Sequence, residues 1–245
     1  MKITILRGSL IVGALALLCS ALFALPASAD AYLDCQADRL CLYTGPNGSM
    51  AAGETKPRAY QHENPQSYAG GFSDRTKSVY NNTDYWACLY GETNWGSAVA
   101  AVKPGAKADI SAQSSEDELR QLAALGVSSH KLAPSRGLCF TGYERCPDDR
   151  LCLFKETAGR GAMTSFTASA DTYAPEWDRV AMSVRNRTTK HACFYSNINQ
   201  TGGWNSVPNG VHRAYAVLAG DSTSLVQPYL GDVQSHRLSS NLDCS

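Results

Sequence analysis

The sequence predicts an all-β protein made of two tandem, disulfide-stapled Greek-key sandwich modules with short helical turns, carried on an exported chain. Three observations predict it. The first 29 residues have the form of a secretory signal, the cysteines beyond them recur in two equivalent sets of four, and the chain between is strand-like runs broken by glycine-rich turns.

Lys2 and Arg7 precede an apolar run from Leu10 to Leu25, and Pro26 is followed by Ala27-Ser28-Ala29, a small-x-small cleavage site. Residues 1–29 are therefore expected to be a signal peptide, cut after Ala29. The run is short for a bilayer span and no later segment approaches the needed length, so no membrane attachment is expected after cleavage. Leu18, where a lipoprotein signal wants a small residue, argues against lipid anchoring at Cys19. Without Lys2 and Arg7 the mature chain has 20 basic residues against 22 acidic ones. A net charge of about −2 leaves no electrostatic footprint for nucleic acid or an anionic membrane.

The remaining cysteines are Cys35, Cys41, Cys88 and Cys139, then Cys146, Cys152, Cys193 and Cys244. First and last steps have the same length in both sets; only the middle step differs, by six residues. Flanking residues agree: Asp38-Arg39-Leu40-Cys41-Leu42-Tyr43 matches Asp149-Arg150-Leu151-Cys152-Leu153-Phe154, and Ser78-Val79-Tyr80-Asn81 matches Ser183-Val184-Arg185-Asn186. Ser129-His130-Lys131-Leu132 matches Ser235-His236-Arg237-Leu238. One module has been duplicated, and residues 30–140 and 141–245 are its expected bounds. An even cysteine set on an exported chain reads as disulfides within each copy. The pairing stays open between Cys35–Cys41 with Cys88–Cys139 and a Cys41–Cys88 link, and equivalently in the second copy.

Each copy also repeats within itself. Cys41-Leu42-Tyr43, Cys88-Leu89-Tyr90, Cys152-Leu153-Phe154 and Cys193-Phe194-Tyr195 are each followed by turn chemistry: Pro46-Asn47-Gly48, Asn94-Trp95-Gly96, Ala158-Gly159-Arg160-Gly161 and Thr201-Gly202-Gly203. These are four strands, each running into a tight fold-over that glycine accommodates. Further strands are expected over Ser97 to Val102 and Met163 to Phe166. One helix is predicted where Ser115-x-x-Glu118 forms a capping box ahead of Leu119, Leu122 and Ala123, with Gly126 ending it. Pro228 should shorten or abolish its counterpart.

Cys-Leu-Tyr, Asn-aromatic-Gly and Asp-Arg-x-x-Ser-Val-x-Asn together resemble the small secreted bacterial metalloproteinase inhibitors of βγ-crystallin type, the Streptomyces metalloproteinase inhibitor family. The resemblance is best from Asp74-Arg75 through Ser78-Val79-Tyr80-Asn81 and Cys88-Leu89-Tyr90 to Asn94-Trp95-Gly96, and again from Asp178 to Gly203. It implies tandem βγ-crystallin-like modules and inhibition of extracellular zinc peptidases. A crystallin-type calcium site wants two Asn or Asp residues before two variable ones and Ser/Thr-Ser. Here Ser73, Trp177 and Lys77 occupy key positions, and the second copy has one residue too many before Ser183. No metal or cofactor is expected. The favoured reading of Asp74-Arg75 and Asp178-Arg179 is a corner fixed by side-chain-to-backbone bonds.

Nothing points to catalysis. His62-Glu63-Asn64-Pro65 lacks the second histidine of a zinc-peptidase motif, and no nucleophile elbow or phosphate loop is present. His130 and His236 recur in equivalent strand contexts, which the fold explains more economically than two active sites. Asn47, Asn81, Asn186 and Asn199 open glycosylation triplets that arise often by chance. The expected function is a secreted, monomeric, non-enzymatic inhibitor whose partner is an extracellular peptidase. Cys88-Leu89 and Cys193-Phe194 are candidate contacts, since thermolysin-like enzymes favour a bulky apolar residue after the scissile bond, though the favoured reading of Leu89 and Phe194 is as core residues of a strand. A structural, stress-related or killer-toxin-like module is the alternative, and an ordered, exposed loop between strands would favour inhibition over it.

Overall fold

Alternation along the Cys-x-aromatic strands decides the architecture, because these strands are buried on both faces. In the computed structural model, which describes residues 31–206, 212–242 and 244, the first module has strands β1 (Arg39–Tyr43), β2 (Arg58–Tyr60), β3 (Ser78–Asn82), β4 (Trp86–Tyr90), β5 (Val99–Val102), β6 (Lys107–Asp109) and β7 (Ser129–Ala133). Helix α1 (Asp117–Leu125) precedes β7. The second module has β8 (Leu151–Phe154), β9 (Met163–Phe166), β10 (Ser183–Asn186), β11 (His191–Tyr195), β12 (Asn205–Ser206), β13 (His212–Arg213), β14 (Tyr215–Val217), β15 (Ser222–Ser224) and β16 (Ser235–Ser239). The signal peptide and Cys19 lie outside the described residues.

Each module pairs two antiparallel sheets. The first has orders β2-β1-β3-β6 and β5-β4-β7; the second has β15-β10-β8-β9 and β14-β11-β16. Strand β6 follows β5 in the chain yet pairs with β3 of the other sheet, and β15 likewise pairs with β10. This exchange makes the Greek key and locks the halves of a module together. Leu40, Leu42, Ala87 and Leu89 point into the space between the first module's sheets, with Val79, Leu122 and Val127. Leu151, Leu153, Ala192 and Phe194 do the same in the second, around Trp177 and Val184.

The opposite face of each central strand carries the cysteine, and the disulfide lids it. The bridges are Cys35–Cys41, Cys88–Cys139, Cys146–Cys152 and Cys193–Cys244, so all four lie within a copy and the Cys41–Cys88 type of link is not formed. Cys88 packs with Tyr90, Trp95 and Cys139 in a small outer cluster. The Tyr90 hydroxyl donates to the Cys139 carbonyl at 2.7 Å, and the Tyr195 hydroxyl to that of Cys244 at 3.3 Å.

The turn after each such strand is a folded hairpin through two successive left-handed residues: Asn47-Gly48, Asn94-Trp95, Ala158-Gly159 and Asn199-Gln200. Glycine is thus not the sole solution expected from the sequence, since Trp95 and Gln200 hold φ of 57° and 54°. A buried serine from another strand holds each hairpin. Ser78 Oγ accepts from the Gly48 N–H at 2.9 Å and donates to the Gly45 carbonyl at 2.7 Å. Ser129 does so for Trp95 and Glu92, Ser183 for Gly159 and Glu156, and Ser235 for Gln200 and Asn197.

Helix α1 forms where predicted and buries Leu119 and Leu122, but the capping box does not form: Glu116 is the N-cap and makes no side-chain cap bond. Glu118 instead accepts from the Ala101 N–H at 3.2 Å and pairs with Arg136, partners no local motif reveals. The second module has no α-helix at the equivalent place, as Pro228 implied.

Ser129→Ala should lower stability by about 1–3 kcal/mol, because it strands the Trp95 N–H and the Glu92 carbonyl in a partly buried turn. The urea midpoint of the oxidised protein measures it.

Candidate functional site

The exchanged strand pairs leave one stretch of each module running along the outside of the sheet that contains the second Cys-x-aromatic strand. In the first module it is residues 61–67, where Gln61, His62, Glu63, Asn64, Gln66 and Ser67 are exposed and Pro65 is half-buried. Its backbone is tied from several sides. The His130 N–H donates to the Pro65 carbonyl at 3.3 Å, the Asn94 N–H to the Gln66 carbonyl at 2.6 Å, and the Tyr68 N–H to the Ser128 carbonyl at 3.1 Å. Asn64 Oδ1 accepts from the Leu132 N–H at 2.7 Å.

Residues 167–172 repeat this in the second module. Ala170 and His236 exchange two backbone bonds of 2.9 and 3.0 Å, Asn199 N–H donates to the Asp171 carbonyl at 2.6 Å, and Ser169 Oγ accepts from the Leu238 N–H at 2.9 Å. Pro65 stands at the place of Ala170 and has no N–H, so the first module keeps one bond of that pair.

Beneath each segment lies a buried tyrosine–histidine pair. Tyr68 Oη is 3.0 Å from His130 Nδ1, and Tyr173 Oη is 3.2 Å from His236 Nδ1. Tyr60 meets the His130 ring edge-on and Phe166 the His236 ring. Burial pushes the His130 pKa down to about 3 and that of His236 to about 4, and raises both tyrosines well above their usual value. Both pairs are therefore neutral at physiological pH. In the second module His236 Nε2 donates to the Ala168 carbonyl at 2.9 Å, tying the pair to the exposed segment. The recurrence of the two histidines is thus a property of the fold.

These are ordered, exposed stretches whose flanking residues are anchored in the core. They offer a partner backbone and side chains at a low ordering cost. No group of three or more His, Cys, Asp or Glu side chains that could hold a metal ion occurs among the described residues. Nor is any helix among them long and apolar enough to cross a membrane.

The sequence-derived candidates sit elsewhere. Cys88, Leu89, Cys193 and Phe194 have 0 % exposure: the cysteines are bridged outward, and Leu89 and Phe194 fill the two cores. A side chain with no solvent exposure presents nothing to a partner, so packing assigns these four to the core and its staples. His62 is exposed, with Tyr85 edge-on to it. Asp74 accepts from the Ser128 hydroxyl at 2.7 Å and Asp178 from Gln234 Nε2 at 2.7 Å, so these corners are fixed side chain to side chain, not to backbone as expected. Arg179 alone reaches a backbone carbonyl there, that of Ser196 at 3.4 Å, beside its ion pair with Asp232. Asn81 and Asn186 are buried: each donates to nearby carbonyls while its Oδ1 accepts from Thr83 or Thr188. Their triplets are structural clamps, whereas Asn47 and Asn199 are exposed.

Two intertwined sheets per module, four folded hairpins and an exchanged strand define proteins of the βγ-crystallin type. Within that class the chain belongs to peptidase inhibitor family I36, whose model matches residues 28–102 and 141–207, more than half of the chain and parts of both modules. Among solved structures it is similar to Geodin, a βγ-crystallin from Geodia cydonium, at 10 % identity and a TM-score of 0.34, covering 83 % of this chain and 99 % of that one. It is also similar to the N-terminal domain of Protein S, at 17 % identity and a TM-score of 0.28, covering 36 % of this chain and 93 % of the other. Scores this low carry no argument about function. No match is found among curated proteins.

Two outcomes follow from the packing. Leu89→Gly should destabilise the protein by a few kcal/mol, on the order of other large-to-small core changes, measured as a shift of the denaturant midpoint. Acid should destabilise it as well. Both histidines have folded pKa values below the unfolded value of about 6.5, so the unfolded chain takes up protons first. Stability should be full above pH 6.5 and fall as pH drops toward 4, by at most about 1.4 kcal/mol per pH unit for each histidine. Urea midpoints at pH 7.5 and 4.5, with His236→Phe flattening the slope, check it.

Proposed function

We propose that this protein is a secreted, extracellular inhibitor of peptidases, zinc metallopeptidases above all, acting as a monomer with modules at residues 30–140 and 141–245. The observation that supports this most is the match of an inhibitor family to both modules. Membership of that family speaks against the protein being an enzyme itself.

Geometry supplies the contact surface. Peptidases bind their substrates by backbone pairing, and residues 61–67 and 167–172 are exposed and joined by backbone bonds to β7 and β16. Their anchors lie on both sides of each segment, so the ends stay in place whether or not a bond within it is cut. Leu89 and Phe194, proposed from the sequence as contacts, take the supporting role behind these segments. The ordered, exposed segment is the feature that favours inhibition over a purely structural or killer-toxin-like role.

The test is a steady-state assay of the oxidised mature chain against serine, cysteine and zinc peptidases. Inhibition is expected in the zinc class and should be lost on reduction, because opening Cys88–Cys139 and Cys193–Cys244 frees the strands that hold the segments. Silence across the panel from folded, oxidised protein would overturn the proposal in favour of the structural or toxin-like role.

A further inference from the structure

The two anchored segments are not equivalent, and the difference lies where the modules meet. In the second module Gln200, in the folded hairpin, holds its own segment: its Nε2 donates to Asp171 Oδ1 at 2.7 Å. The first module has Trp95 at that position, and its buried indole N–H makes no hydrogen bond to the segment. Trp95 is 5 % exposed and lies between two cations. Lys131 Nζ is 4.9 Å from its ring centre, and the Arg145 guanidinium, from the second module, is 5.1 Å from it.

Arg145 is itself fixed by the second module. Its Nη2 donates to the Gly159 and Gly161 carbonyls at 2.8 and 2.7 Å, while Nη1 reaches Gln66 Oε1, in the first module's segment, at 3.5 Å. Burial pulls its pKa down to about 10, which still leaves it a cation at neutral pH. The same hairpin is gripped a second time: the Ser97 N–H meets both Glu156 oxygens at 2.8 and 2.9 Å, and Arg160 donates to the Ser97 carbonyl at 2.6 Å. Buried Lys131 completes the joint by donating to the Thr141 carbonyl and the Glu144 carboxylate. Between these grips sits the Asn94 N–H, the donor to the Gln66 carbonyl.

We infer that the second module completes the first module's peptidase-facing segment: Arg145, stacked on Trp95, is a positioning residue that holds the Asn94–Gln66 tie and with it residues 61–67. The second segment, held by its own Gln200, has no such dependence. Only the consequence for inhibition rests on the proposed function; the consequence for structure stands apart from it.

The experiment uses the full oxidised chain and the variants Trp95→Ala, Trp95→Phe and Arg145→Gln, with amide hydrogen exchange read at Asn94 and at its counterpart Asn199. Trp95→Ala and Arg145→Gln should speed exchange at Asn94 by about tenfold or more and leave Asn199 unchanged, while Trp95→Phe, which keeps an aromatic face, retains protection. Equal acceleration at both amides would mean general loosening and overturn the inference, as would no acceleration at either. Arg145 is only half-buried, so Arg145→Gln decides the question alone if Trp95→Ala does not fold. Inhibition of a zinc peptidase should weaken in the variants that lose protection. Unchanged inhibition with faster Asn94 exchange would overturn the assignment of the contact to the first segment. A parent chain that inhibits nothing would sink the proposed function and leave the exchange result to judge the joint.

Discussion

A serine hydroxyl at the base of a folded hairpin is the contact on which the rest of this structure depends. Four times the chain turns through two successive left-handed residues, a geometry that asparagine and glycine tolerate but that is unfavourable for the tryptophan, alanine and glutamine found there. Each time a fully buried serine meets one N–H and one carbonyl of the turn. The bond is nonlocal: the serine comes from the last strand of the motif, at least 24 residues away. It closes each motif by tying its hairpin to its last strand.

The exchange of β6 and β15 between sheets has two consequences. The central strands are covered on both faces, which is why a cysteine alternates with an apolar residue along them and why the disulfides act as lids over the outer face. It also places residues 61–67 and 167–172 on the outside of a sheet, tied through β7 or β16 to the core. Rigidity in the exposed segments is thus bought from the interior: the neutral tyrosine–histidine pairs and the bridges behind them restrain atoms that a partner would touch. A peptidase-directed surface needs that restraint, since a mobile segment would lose binding energy in becoming ordered.

The modules share one scaffold and differ in how they finish it. Pro65 replaces Ala170 and removes a backbone donor, Trp95 replaces Gln200 and removes a side-chain tie, and contacts from the second module fill that gap. The second module replaces helix α1 by a turn and a cluster of Trp204, Tyr215 and Tyr229 against its core. Duplication followed by local repair explains why cysteine spacing is retained while the turns and outer surface diverge.

Much of this was legible in the sequence. Cysteine spacing and the repeated Ser-Val-x-Asn and Ser-His-basic-Leu motifs determined the duplication and the β class, because a chain that must form two like cores repeats its core-facing residues at like intervals, while the family was legible only through the resemblance of its Cys-Leu-Tyr, Asn-aromatic-Gly and Asp-Arg-x-x-Ser-Val-x-Asn residues. The helix was readable from its apolar stripe, though its cap was not, since Glu118 is recruited by Ala101 and Arg136 from distant strands. Leu89 and Phe194 read as core more than as contacts, and the contact reading stayed open because a one-dimensional pattern shows alternation without showing which sides are covered. Tyr68 and Tyr173, each more than sixty residues before its histidine, were a recurring signal that spacing alone could not connect. The sequence by itself determined the repeat and the strands and carried the motifs of the family. The disulfide pairing, the exposed segments and the joint between modules were decided by the tertiary structure, because each depends on groups brought together only when strands cross between sheets.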